Sequence, residues 1–206
     1  MSSLRFDAKQ HRYFLEGNQP GDVVELPSVT TVLKETNMID MRHIPQDVLD
    51  HAGARGTAVH TALHYLDEGD LDESTVDPTI AGYIVAYQKF CRDTGFYMDR
   101  VENRLYHPTM LYAGTLDRTG WFNERTRIIV DFKTGIVYPG HALQLAAYAQ
   151  CLPESRSYRR IALKLNDDGT YKAHEFPMGD YLRDSQLFNA ALACHRFQFP
   201  QGAKRQ

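Results

Sequence analysis

Cysteine is scarce in this chain. Cys91, Cys151 and Cys194 are the three present in 206 residues, they stand far apart, and no C-x-x-C pair occurs. That number and spacing argue against a disulfide framework, a cysteine zinc site or an iron–sulfur cluster. Long apolar runs are also missing, so no segment reads as a membrane span. The opening MSSLRFDAKQHRYFLEG lacks the basic-then-apolar pattern of a secretory signal, and a cytoplasmic location is expected. There is no internal repeat and no low-complexity stretch. Charge of one sign is lacking too: the formal net charge is -3, without the strongly basic balance that marks many nucleic-acid binders. Local basic groups remain at Arg156, Arg159 and Arg160 and at Lys204 and Arg205, and each reads equally well as solvated surface charge or as a phosphate contact.

What the chain does have is 43% hydrophobic and 24% charged residues, enough for one globular domain with a substantial core. RFDAKQHRYFLEG carries strand-like aromatics and reads as a short hairpin, with Gly17-Asn18 as its turn signal. In LPSVTTVLKETN, Ser28 is an N-cap candidate for a helix with Val29, Val32 and Leu33 as its stripe. HIPQDVLDHAGARGTAVHTALHYLDEG has a helical rhythm interrupted near Gly53 and Gly56 and ending at Gly69. TIAGYIVAYQKFCRDT, opened by Pro78 and closed by Gly95, predicts a further helix. VENRLYH, LYAGTLDRTGWF and RTRIIVDFKTG predict an antiparallel meander. PGHALQLAAYAQCL predicts a helix, RRIALKLNDDGTYKAHEF a hairpin turning at Asp168-Gly169, and YLRDSQLFNAALACHRF a closing helix. This order implies a layered α/β or α+β fold, with no domain boundary marked.

Within the meander, a turn at Asn123-Glu124-Arg125 sets Asp117 opposite Asp131, and strand alternation puts Lys133 on the face of Asp131. Paired cross-strand residues have Cβ atoms only about 5 Å apart. Two ionised aspartates there repel unless something positive lies between them, and a divalent metal is the natural candidate. An isolated D-x-K is a weak signal that an ordinary surface Asp and Lys would satisfy. Here it follows the buried run Ile128-Ile129-Val130, is matched by a second carboxylate after Gly114 and Thr115, and precedes a helix with Gln144 and Tyr148 on one face.

The ordered set G-T-x-D, D-x-K-T and Q-x-x-x-Y resembles the PD-(D/E)xK nuclease superfamily, in its RecB-type and phage-type exonuclease branch. GTAVH, residues 56 to 60, is similar to that branch's G-x-x-x-H helix motif, and LPSVTTVL to its P-S-V-T segment. The resemblance spans roughly residues 11 to 150, with Asp131 where many members have Glu. It implies an α/β fold with a restriction-endonuclease-like core, in which a central mixed sheet with an antiparallel meander is flanked by helices. One domain over residues 1–206 is expected, its core about 25–176, with the N-terminal hairpin and C-terminal helix peripheral. The absence of four clustered cysteines argues against the iron–sulfur branch.

The same resemblance implies Mg²⁺, with Mn²⁺ substituting, held by Asp117, Asp131, the Phe132 carbonyl and His60, donors that suit these ions. Lys133 is expected to hold the attacking water or stabilise developing charge, and Gln144 and Tyr148 to orient Lys133 or touch a phosphate. Glu102 is a candidate further carboxylate, and Arg55, Thr57 and Thr134 are candidate DNA contacts. The zinc alternative at His60 and His64 lacks the glutamate of H-E-x-x-H. Expected partners are DNA, linear with a free end, a recombination partner such as a single-strand annealing or binding protein, and further copies of the chain, in a bacterial or phage-infected cell. Two alternatives stand beside the exonuclease reading: a structure-selective endonuclease, and a non-catalytic DNA- or partner-binding module that keeps the fold.

Overall fold

The computed structural model describes residues 3–17, 19, 21–123 and 125–200. Three short strands, β1 (Ser3–Asp7), β2 (Arg12–Glu16) and β3 (Val23–Leu26), form an antiparallel sheet ordered β1-β2-β3. Three helices follow: α1 (Val29–Glu35), α2 (Gln46–Glu68) and α3 (Pro78–Thr94). The main sheet then begins with β4 (Phe96–Tyr106), β5 (Ala113–Phe122) and β6 (Thr126–Lys133), the expected antiparallel meander. Helix α4 (Gly140–Gln150) crosses over to β7 (Arg159–Leu165), which lies parallel to β6 because a crossover, unlike a hairpin, restores strand direction. β8 (Tyr171–Phe176) returns antiparallel and α5 (Tyr181–Gln198) closes the described chain. The fold is therefore α/β, a mixed sheet ordered β4-β5-β6-β7-β8 with helices on both faces.

Each face has its own core. On one side Leu116, Ile129 and Ala162 pack against apolar residues of α1, α4 and α5; on the other, Ile128, Val130 and Phe132 pack against α2 and α3. β6 is thus buried on both faces, which is why it reads as a continuous apolar run and not as an alternation. Alternation still operates inside that run. Asp131 shares parity with Ile129 and so faces α4, while Phe132 turns its ring toward α2 and α3.

Local chemistry explains the helix ends. The Ser28 hydroxyl accepts the Thr31 N–H at 3.0 Å, and Val29, Val32 and Leu33 are the buried stripe foreseen for α1. Gly69 ends α2 in the left-handed region (φ 77°), its N–H reaching the Leu66 carbonyl at 3.2 Å.

Two expectations are corrected. α2 runs unbroken for 23 residues through Gly53 and Gly56. Each glycine costs a helix only about 1 kcal/mol relative to alanine, and the packing of Val59, Ala62 and Leu63 into the core outweighs that. The N-terminal region is a three-stranded sheet, with its first turn at residues 8–11 and not at Gly17-Asn18. Gly17 lies between β2 and β3, and Asn18 falls outside the described residues, as do Glu124, Lys204 and Arg205. No described helix is long and apolar enough to cross a membrane.

Candidate active site

The β5–β6 ladder runs from Phe122–Thr126 to Arg118–Val130, so Asp117 and Asp131 are the next pair outward, where the ladder ends. Beyond the end of the β5 ladder, the Phe132 N–H donates to Asp117 Oδ2 at 2.6 Å, tying one strand's carboxylate to the other strand's backbone. His60, from α2, sets Nδ1 3.2 Å from Asp117 Oδ1. Lys133 pairs its ammonium with Asp131 Oδ2. Gln144, one turn before Tyr148 on α4, joins the group together: its amide N–H donates to Asp131 Oδ1 and to the Tyr148 hydroxyl, each at 3.1 Å, while its carbonyl accepts from Lys133 Nζ at 3.2 Å. Gly114 lets the sheet approach this helix. A Cβ there would stand 2.5 Å from Tyr148 Cε1.

The two carboxylates are both buried, yet they are pushed in opposite directions. Burial raises Asp131, and the charge of Asp117 adds to that against the pull of Lys133, leaving its pKa above the ordinary carboxylate value. Burial would raise Asp117 as well, but His60, the Phe132 N–H and Lys133 together outweigh it and hold Asp117 below that value. His60 is the mirror image: burial lowers it, and the Asp117 contact, with Asp131 behind, turns the net shift upward. Asp131 Oδ2 is buried, and its partner is the Lys133 ammonium. An added cation beside the two carboxylates would bring Asp131 back down.

All of these side chains open into one cleft of about 370 Å³. Glu102 lines it too. The β4–β5 register skips from Val101–Arg118 to Asn103–Leu116, which sets Glu102 level with Asp117, and Glu102 adopts φ 43°, a left-handed backbone in mid-strand. Such outliers gather at sites where a side chain must be re-aimed. Among the described residues no three His, Cys, Asp or Glu side chains stand grouped as a ready-made metal cage. The donors are instead engaged with one another and with Lys133.

The remaining candidates divide. Arg55 reaches the Thr134 carbonyl at 3.4 Å, joining α2 to the residue after β6. Thr57, roughly 200° further round the helix, is exposed and bonds the Gly53 carbonyl at 3.0 Å, away from the cleft lining. Gln144 and Tyr148 are each 3% exposed: Gln144 bonds Lys133 and Asp131, Tyr148 bonds Gln144, and neither has much surface left for DNA. Of the basic group at Arg156, Arg159 and Arg160, Arg156 is exposed and the other two are committed to partners. Arg159 pairs with Glu175 at 2.6 Å, and Arg160 is fully buried, bridging Asp184 and the Ala142 and Pro177 carbonyls.

Sequence reasoning missed two contributors. Arg118 is buried against Asp67 of α2 and donates to the Asp117 carbonyl at 2.7 Å, bracing the strand that carries the site. Its place directly after Asp117 was visible, but alternation alone gave it no partner. The N-terminal hairpin supplies Phe6 and His11 to the cleft wall, a contact between distant segments with no local signal. No protein-family model and no curated protein matches the chain.

Proposed function

We propose that this protein is a metal-dependent deoxyribonuclease with a restriction-endonuclease-like core, hydrolysing phosphodiester bonds at DNA ends. One observation carries the reading: two buried aspartates of opposite pKa displacement meet a lysine at a strand end inside a cleft, the lysine's ammonium pairing Asp131 Oδ2. Asp117, Asp131, the Phe132 carbonyl and His60 would hold Mg²⁺ or Mn²⁺, oxygen and imidazole donors that suit these ions. When bound, such an ion lowers the pKa of a water and offsets charge on the scissile phosphate.

The chain's own groups do the rest. Lys133, held by Gln144, points its ammonium at the carboxylates, where it can hold a water for in-line attack or stabilise the extra negative charge of the transition state. His60 fixes the orientation of Asp117, and Gln144 that of Asp131. Among the described residues no serine or cysteine lines the cleft, in keeping with direct attack by water. Action at ends, in recombination, repair or phage DNA processing, rests on the resemblance described above.

The test uses labelled linear and closed circular DNA with Mg²⁺, Mn²⁺ or chelator. Expected is metal-dependent degradation of the linear form with the circle spared, abolished in Asp131→Asn and Lys133→Ala variants that retain the circular dichroism of the parent. Cleavage of both forms would replace the exonuclease with an endonuclease. Retention of DNA without cleavage in either metal, or cleavage undiminished in the variants, would overturn the reading.

A further inference from the structure

The cleft has two unlike halves. One is the charged end of β5 and β6. The other is built from the N-terminal hairpin and β4: Phe6 and His11 line it, and the Arg104 guanidinium lies 4.9 Å from the Phe6 ring centroid. Arg104 is exposed, and among the described residues it has no ion-pair partner, although Glu102 lies two residues away on its own strand. Phe6 therefore backs the guanidinium, which lines the cleft with its donors free of an ion pair. His11, in the left-handed region at φ 51°, sets its ring edge-on to Phe6 at 5.1 Å. Burial and the charge of Lys34 lower its pKa, so at neutral pH it offers a neutral ring beside the arginine's charge.

An unpaired, ring-backed guanidinium beside an exposed imidazole is a surface for a nucleotide, with donors for phosphate and flat faces for a base. Size decides which kind. At about 370 Å³ the cleft has room for one nucleotide, so a strand that enters it does so without its complement. A base must also leave its stack to lie on these faces, which costs least when it is already unpaired. We propose that Arg104, Phe6 and His11 form a nucleotide subsite that admits an unpaired DNA end, so that single-stranded termini are the preferred substrate. The proposal rests on the nuclease reading for where the scissile phosphate lies, while the subsite itself is independent of cleavage.

Fluorescence anisotropy with labelled oligo-dT and a blunt-ended duplex, in chelator, separates the two. The full chain is expected to bind oligo-dT more tightly than the duplex. Arg104→Ala should weaken oligo-dT binding about tenfold, the scale of one lost stacking contact, with duplex binding changed less than twofold. Arg104→Lys, which keeps the charge without the plane, should restore only part. Equal or tighter duplex binding, or an Arg104→Ala effect that is absent or the same on both DNAs, overturns the subsite. Should metal-dependent cleavage fail while the oligo-dT preference and its loss persist, the nuclease reading falls and the subsite stands. Cleavage without the preference gives the reverse.

Discussion

Removing Arg118 isolates a buried charge, and Arg118→Met is the most informative single perturbation of the framework behind the site. The arginine is 1% exposed, its Nε lies 2.5 Å from Asp67 Oδ2, and its plane sits 5.1 Å from the Phe132 ring centroid. Among the described residues Asp67 otherwise receives only the Tyr87 hydroxyl, 3.1 Å from each oxygen. Methionine fills much of the volume, so the cavity contribution is small and the cost is that of an uncompensated carboxylate, about 3–5 kcal/mol. Against a usual stability of 5–15 kcal/mol this is a large fraction. In urea unfolding at pH 7, followed by far-ultraviolet circular dichroism, the midpoint should fall sharply with little change in slope. The double variant Arg118→Met/Asp67→Leu removes both charges and should recover most of the loss, since an apolar pair replaces a buried ion pair at little or no net cost. A single-variant loss below about 1 kcal/mol, the range of solvated surface pairs, would refute the reasoning, because it would mean that Asp67 is not left desolvated.

Two other perturbations test the same packing. His141, buried at the start of α4, accepts the Tyr138 N–H at Nδ1 (3.0 Å), and burial, with Lys133 and His174 adding, lowers its pKa to about 3. Its unfolded value is higher, so below about pH 6.5 the unfolded chain binds a proton that the fold rejects, and this contribution to stability falls with pH from there toward 3. At pH 5 the loss should be about 2 kcal/mol relative to pH 7.5, and His141→Gln should flatten that part of the profile in paired urea titrations; a parallel profile would show that the imidazole accepts a proton in place. Gly114→Ala would drive a methyl to 2.5 Å from the Tyr148 ring, costing about 1–3 kcal/mol of stability by overpacking. It should also reduce cleavage by displacing Gln144, and an unchanged thermal melt would show that α4 yields freely.

Much of this architecture was legible in sequence because its causes are local. Ser28 capping α1, Gly95 following α3 and Asp168-Gly169 turning β7 into β8 each act within a few residues, and the period-2 count placed Asp117 level with Asp131 from the turn alone. Where local signals compete, reading failed. Gly53 and Gly56 weaken a helix in isolation, yet α2 runs through them because its Val59 and Leu63 face is anchored in the core. The turn at residues 8–11 carries no glycine, asparagine or proline to announce it.

The candidate site shows the same division. Asp131 and Lys133 on one strand, and Gln144 and Tyr148 one helical turn apart, follow from periodicity, which the backbone imposes on any sequence. That Gln144 bridges Asp131 to Lys133, that Arg118 meets Asp67, that Arg160 is buried, and that Phe6 and Arg104 close the far side of the cleft are encounters between segments remote in the chain. Their partners are set by how the layers pack, so the sequence by itself determined the elements and the spacing of the acidic and basic groups, and only the tertiary structure decided which charges are desolvated, which compensate one another and which, like Arg104, remain open to solvent.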